Sequence, residues 1–407
     1  MKWQMKGKRG AARLLHGLLG GAGILAFAAA AQGQQCLYVI SRLRGTVEAY
    51  QRPTLSLVAS VALPDCPLNP PTCMPTSVAV DAVRRRAYVT RQDAGNVAVL
   101  DMTGANPAFS VPVGTSPSDA VLSPDRSRLW VANLAGDSVS LIDTGSDTVI
   151  DTIAVGDGPR GLALAPDGGL LFVANGNDDS LSIVDTATRQ VVDTIAVGDE
   201  PNGVAVAPDG SRLYVSNARA ASVSVVDLPD LAVRSIAVGT RPRGIAFLPD
   251  GSRAYVTNSL DATLSPIDTD RETAGTAIAV GVGPIAVAIT DDGSTGYVAN
   301  VSDEVLSVLD VASGTVTGRP EQGSAFDVAL GSCPLLPTPT VTVTPTTVPT
   351  FTPTPGAGCA GDCNADGMVP INELIAGVNI ALGNAAVATC PAFNRDGDGQ
   401  VAINELI

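Results

Sequence analysis

From residue 37 onward, apolar residues fall into short runs broken by polar and glycine-containing turns. One stretch displays the unit. Gly161-Leu-Ala-Leu-Ala is followed by Leu171-Phe-Val-Ala, then Ser180-Leu-Ser-Ile-Val, then Val191-Val-Asp-Thr-Ile-Ala-Val. Such runs are too short for helices, and the third alternates with the period of two of a strand that has one polar face. Pro166-Asp167-Gly168, between the first two runs, is a hairpin signal, since proline presets φ and glycine tolerates a positive one. The pattern predicts four short antiparallel strands per unit.

The unit recurs. Leu37-Tyr-Val-Ile, Ala87-Tyr-Val-Thr, Leu129-Trp-Val-Ala-Asn, Leu171-Phe-Val-Ala-Asn, Leu213-Tyr-Val-Ser-Asn, Ala254-Tyr-Val-Thr-Asn and Gly296-Tyr-Val-Ala-Asn are equivalent. Their aromatics at 38, 88, 130, 172, 214, 255 and 297 are spaced by 50, 42, 42, 42, 41 and 42 residues. Four strands at this spacing make a β-propeller blade. The first aromatic strand lacks the strand that precedes every other one, and Ala325-Phe-Asp-Val-Ala-Leu330 supplies it. The expected fold is therefore all-β: residues 34–333 form a seven-bladed propeller of four-stranded blades, closed by its C-terminal strand.

The cysteines fit this closure. Aligned on the repeat, Cys36 and Cys333 flank the hairpin turn where Leu170 and Asp167 stand, which predicts a disulfide across the seam. Cys66 and Cys73 lie in the Pro-rich insertion behind the spacing of 50, and a local bond is expected there. Asn133, Asn175, Asn217, Asn258 and Asn300, and Asp143, Asp185, Asp227, Asp268 and Asp310, recur blade after blade and read as turn formers. Function belongs where the blades differ. The loops entering the innermost strands vary, and they place Asp119, Arg160, Asn202, Arg241 and Arg243 around one mouth of the channel. A partly basic rim of this kind suits an anionic ligand or a partner's carboxylates.

Charge changes the picture once it is divided by segment. The whole chain carries 25 Lys+Arg, 40 Asp+Glu and a net charge of −15, which argues against a nucleic-acid backbone as ligand. Residues 1–33 read as a secretory signal peptide: Lys2, Lys6, Lys8, Arg9 and Arg13 precede an apolar run from Leu14 to Ala31. That run is short for a membrane span, so a secreted or surface protein without a span is expected after cleavage. All three lysines and the only histidine, His16, leave with it. A chain without imidazole builds no Ser-His-Asp triad, Cys-His pair or His-ligated metal site.

Pro201-Asn-Gly-Val-Ala-Val-Ala-Pro-Asp-Gly-Ser-Arg-Leu-Tyr-Val-Ser-Asn217 resembles the YVTN-family propeller repeats of bacterial and archaeal surface proteins. More distantly, the repeats are similar to propeller lactonases. Residues 334–358 are Thr/Pro-rich and read as an extended linker. Beyond it, Asp362, Asn364, Asp366 and Glu373, with the Met368 carbonyl, have the spacing of a calcium loop. Asn394, Asp396, Asp398 and Glu405, with the Gln400 carbonyl, repeat it. Residues 359–407 resemble a dockerin type I or EF-hand-like module, which implies Ca²⁺ as cofactor, a small α fold and a cohesin-like or other surface partner. The glutamates at loop position 12 are more EF-hand-like than dockerin-like. Ile407 falls where the second helix should begin, so the module reads as incomplete, with Cys359, Cys363 and Cys390 an odd set.

These readings converge on a non-enzymatic binding scaffold docked through calcium. The alternative is a propeller lactonase or hydrolase, or a polysaccharide-acting enzyme carried on a dockerin.

Overall fold

Each aromatic-Val run is the second strand of a sheet, and its aromatic side chain is driven inward. Tyr38, Tyr88, Trp130, Phe172, Tyr214, Tyr255 and Tyr297 are all buried. The computed structural model describes residues 35–333, apart from 43, 65, 67–73, 229, 304 and 321–324. Within these residues the chain forms seven antiparallel sheets. From the inside outward, blade 1 orders Ala325–Ser332, Gln35–Ser41, Thr46–Gln51 and Ser56–Ala62. Blades 2 to 7 then follow in chain order, with inner strands Pro75–Asp81, Pro117–Leu122, Pro159–Leu164, Pro201–Val206, Pro242–Phe247 and Pro284–Ile289. Six of the seven inner strands start on proline, where a missing N–H costs the ladder least.

The core lies between blades rather than within any one of them. Tyr88 of blade 2 packs with Ala120, Leu129, Val131 and Ile142 of blade 3. The same layer recurs around the ring until Tyr297 of blade 7 meets Leu37, Val39 and Val328 of blade 1. Burying each large side chain stabilises the ring by roughly 1.5–3 kcal/mol. Closure is the predicted one: the C-terminal strand pairs antiparallel with the N-terminal one, Val328 opposite Val39 and Gly331 opposite Cys36. Cys36 and Cys333 are joined by a disulfide, with Cα atoms 4.8 Å apart. Cys66 is also disulfide-bonded, while Cys73 lies outside the described residues.

Two expectations need correction. The third strand has no solvent face: Ser180, Ser182, Ser222 and Ser224 are buried between blades. Nor do the recurring asparagines form turns. Each is fully buried at its strand end, and its Nδ2 reaches the third strand; Asn175 donates to Ser180 and Ser182, both at 2.9 Å. Asn217 repeats the bridge to Ser222 and Ser224. Burial on both faces forces the serines to find a polar partner, and the asparagine supplies it. Four of the recurring aspartates do form turns: Asp185, for example, accepts from the amides of Ala187 and Thr188. Asp227 differs, pairing with Arg234 and Arg212.

Among the described residues, blade 6 alone has a broken outer strand, Thr273–Ala274 and Ile278–Ala279. Pro266 in its third strand has no N–H to offer the ladder there. The signal, linker and calcium segments expected from the sequence lie outside the described residues, and within these no helix is long and apolar enough to cross a membrane.

Candidate ligand site in the central channel

Because the inner strands converge on the axis, their second and third residues face the channel mouth. Reading these positions from blade 1 to blade 7 gives Phe326-Asp327, Thr76-Ser77, Ser118-Asp119, Arg160-Gly161, Asn202-Gly203, Arg243-Gly244 and Ile285-Ala286. A cavity of about 620 Å³ opens there, a size that suits a small organic ligand. Asp119, Arg160, Asn202, Arg241 and Arg243 all line it.

The basic side comes from blades 4 and 6. Arg160 Nη2 lies 3.4 Å from Glu200 Oε1, and Glu200 also meets Arg219 at 3.7 Å. Arg243 has no such partner: among the described residues its guanidinium makes no hydrogen bond or ion pair. Burial, and then the charges of Arg241 and Arg160, hold its pKa below the usual arginine value. Arg241 is exposed at the mouth. The backbone here is held against its preference. Glu200 and Arg241 sit at φ of 57° and 56°, where the matching residues of blades 4 and 7 are Gly158 and Gly283. A left-handed conformation before proline costs a side-chain-bearing residue about 1 kcal/mol or more.

The opposite arc is acidic and deeper. Asp119 is not a rim residue as expected; its carboxyl is set into the wall. Oδ1 accepts from Ser77 Oγ at 2.7 Å and from the Ala120 amide at 2.8 Å, and Oδ2 accepts from the Leu162 amide at 2.8 Å. Asp327 mirrors it, with Oδ2 accepting from the Val78 amide and Oδ1 from the Val328 amide, both at 2.8 Å. Hydrogen bonds thus link blade 1 to 2, 2 to 3 and 3 to 4. Burial raises both carboxyls; that of Asp327 is pushed up to about 7, with the Asp119 charge adding to the rise.

Asp327 is not among the rim residues expected from the sequence, yet the sequence carries a signal for it. It stands where three blades carry glycine and one alanine, so its carboxylate breaks the repeat at a channel position.

A stability consequence follows from Asp327. Its folded pKa lies above the unfolded value of about 3.9, so the folded state holds the extra proton between the two. The contribution of Asp327 to stability is therefore full below pH ~4 and declines as pH rises toward about 7. Asp327→Asn is expected to flatten this decline and to gain on the order of 3 kcal/mol at pH 8. Urea unfolding of both proteins at pH 5 and pH 8 checks it; parallel pH dependences would refute it.

No curated protein matches this sequence. Residues 71–253 match the YNCE-like beta-propeller family. Solved structures share the fold. A Bacteroides fragilis protein provisionally named as a 6-phosphogluconolactonase superposes with TM-score 0.61 at 16% identity, covering 74% of this chain and 99% of that one. Kuenenia stuttgartiensis hydrazine synthase aligns with TM-score 0.59 and 20% identity, covering 71% of this chain and 93% of that one. A functionally unknown protein from Desulfotomaculum acetoxidans reaches 0.60 at 16% identity, covering 74% of this chain and 99% of that one. At these identities the likeness is one of fold.

Among the described residues, no group of three or more His, Cys, Asp or Glu side chains is placed to hold a metal ion. The two calcium-type loops lie outside them.

Proposed function

We propose that the propeller is a secreted or surface-displayed binding scaffold whose channel captures a small organic anion, and that the C-terminal loops dock it in a Ca²⁺-dependent way. The observation that carries the reading is Arg243, a partly buried guanidinium that makes no hydrogen bond or ion pair among the described residues, beside Arg160 and Arg241 at the same cavity; the one carboxylate acting on it, Glu200, is already paired with Arg160 and Arg219. Three guanidinium groups sharing one carboxylate leave excess positive charge partly withdrawn from water, and an anion arriving there recovers that cost.

Arg243→Ala is expected to weaken binding of citrate or gluconate at least tenfold, in line with the roughly 1.5–3 kcal/mol of a charged hydrogen bond. Titration calorimetry on the whole chain reads the effect. Absence of any anion binding by the native protein would sink the reading.

For the tail, millimolar Ca²⁺ is expected to bind. Asp362→Ala and Asn394→Ala, made together, are expected to weaken that binding strongly, because each removes the first oxygen ligand of a loop. A calcium titration with no heat in the native protein removes the docking half and leaves the channel half standing. The lactonase reading has the acidic pair in its favour, as a buried carboxyl titrating near neutrality suits acid–base work.

A further inference from the structure

The cavity's charges are segregated and unreconciled. Blades 1 to 3 form one continuous arc of the channel, and blades 4 to 6 the next. The first arc carries Asp327, Ser77 and Asp119; the second carries Arg160, Arg243 and, at the mouth, Arg241. Among the described residues no ion pair joins the two arcs, although both signs line one small cavity. Charges left facing each other in a protein interior without pairing are costly. The acidic side is fully engaged by backbone amides and Ser77 in holding the blades together, yet both carboxyls still line the open space.

We propose that the channel ligand is zwitterionic, an amino carboxylate whose anionic group rests on Arg243 and its neighbours and whose ammonium group rests on Asp119 and Asp327. This rests on the anion site above and adds its second half. A simple carboxylate satisfies the arginines but is repelled by the acidic arc, and a simple amine meets the converse difficulty. Only a molecule carrying both signs complements both arcs, and this makes the segregation a device of specificity as well as affinity. An ammonium group beside Asp327 also relieves the repulsion between the two carboxyls.

The test uses the whole chain at pH 7 and millimolar ligand. γ-Aminobutyrate and ε-aminocaproate are compared by calorimetry with butyrate and caproate, which lack only the amine. The expected result is at least tenfold tighter binding of an amino carboxylate than of its amine-free counterpart. Asp327→Asn, which keeps an acceptor for the Val78 amide, is expected to shrink that ratio at least threefold, because it removes one of the two ammonium partners and lessens the repulsion felt by the plain carboxylate. Arg243→Ala is expected to weaken both. Equal affinity with and without the amine overturns the zwitterion proposal and leaves the anion site intact. An unchanged ratio in Asp327→Asn also overturns it. No binding of any probe overturns the anion site and the inference together.

Discussion

Replacing Cys36 and Cys333 together with alanine is expected to lower the unfolding free energy by about 3–5 kcal/mol, the upper range for a single disulfide. The bond spans 297 residues of sequence, so its loss returns a very large loop to the unfolded ensemble. It also acts at the one blade built from both ends of the propeller. There the inner strand Ala325–Ser332 has no sequence-adjacent strand in its own sheet and is held by its ladder to Gln35–Ser41 and by packing. Urea unfolding gives the magnitude. Hydrogen exchange locates it, since the amides of Ala325–Ser332 are expected to lose protection before those of blades 3 to 5. A midpoint equal to the native one in oxidising buffer would show that packing alone seals the ring.

Gly203→Ala is expected to cost about 3 kcal/mol or more and to lower Tm by roughly 5–10 °C. A Cβ at this position would run into the carbonyl oxygen of Arg243, and a backbone atom has no rotamer by which to escape. Ser216 adds to the constraint: its Oγ accepts from the Gly203 amide at 2.8 Å and donates to the Arg243 carbonyl at 2.6 Å. The inner strands of blades 5 and 6 are thereby clamped at close range. Gly161 and Gly244 make the same kind of approach to the next inner strand, whereas blade 7 carries Ala286 at the matching position, so the penalty belongs to blades 4 to 6 and not to every blade. Any shift that relieves the clash also displaces Arg243, and anion affinity is expected to fall with stability. A thermal melt and a citrate titration read the two effects separately. A variant as stable as the native protein would mean the strands part without cost.

The fold could be read because every blade repeats the same solution. Seven aromatic-Val runs set the blade number, and the strand missing before Leu37 set the closure. The candidate site was partly readable for the opposite reason, because Arg160, Arg241 and Arg243 depart from the repeat. Asp327 departs from it too, but it stands in the strand that closes the ring, where the repeat register is set by pairing to Gln35–Ser41 far away in sequence.

The buried serines show a limit of alternation. Ser180-Leu-Ser-Ile-Val reads as one polar and one apolar face, yet a strand sandwiched between neighbours buries both. The clue lay in spacing: Asn175 precedes Ser180 and Ser182 by five and seven residues, and Asn133 stands in the same relation to Ser138 and Ser140. Those pairs follow from strand pairing across a tight turn, which composition does not reveal. The depth of Asp119 was hidden likewise, since it depends on the Leu162 amide of the next blade.

The seam has a mechanical meaning. Gln35 pairs directly with Ser332, so both ends of the propeller leave from one spot on one blade. A pull applied at Cys333 passes through a covalent bond to Cys36, and the blades between them lie outside the load path. Traction on anything tethered beyond the last strand would therefore strain a sulfur–sulfur bond before it could peel the inner strand away. The ring would stay shut under tension and become unzippable only in a reducing environment.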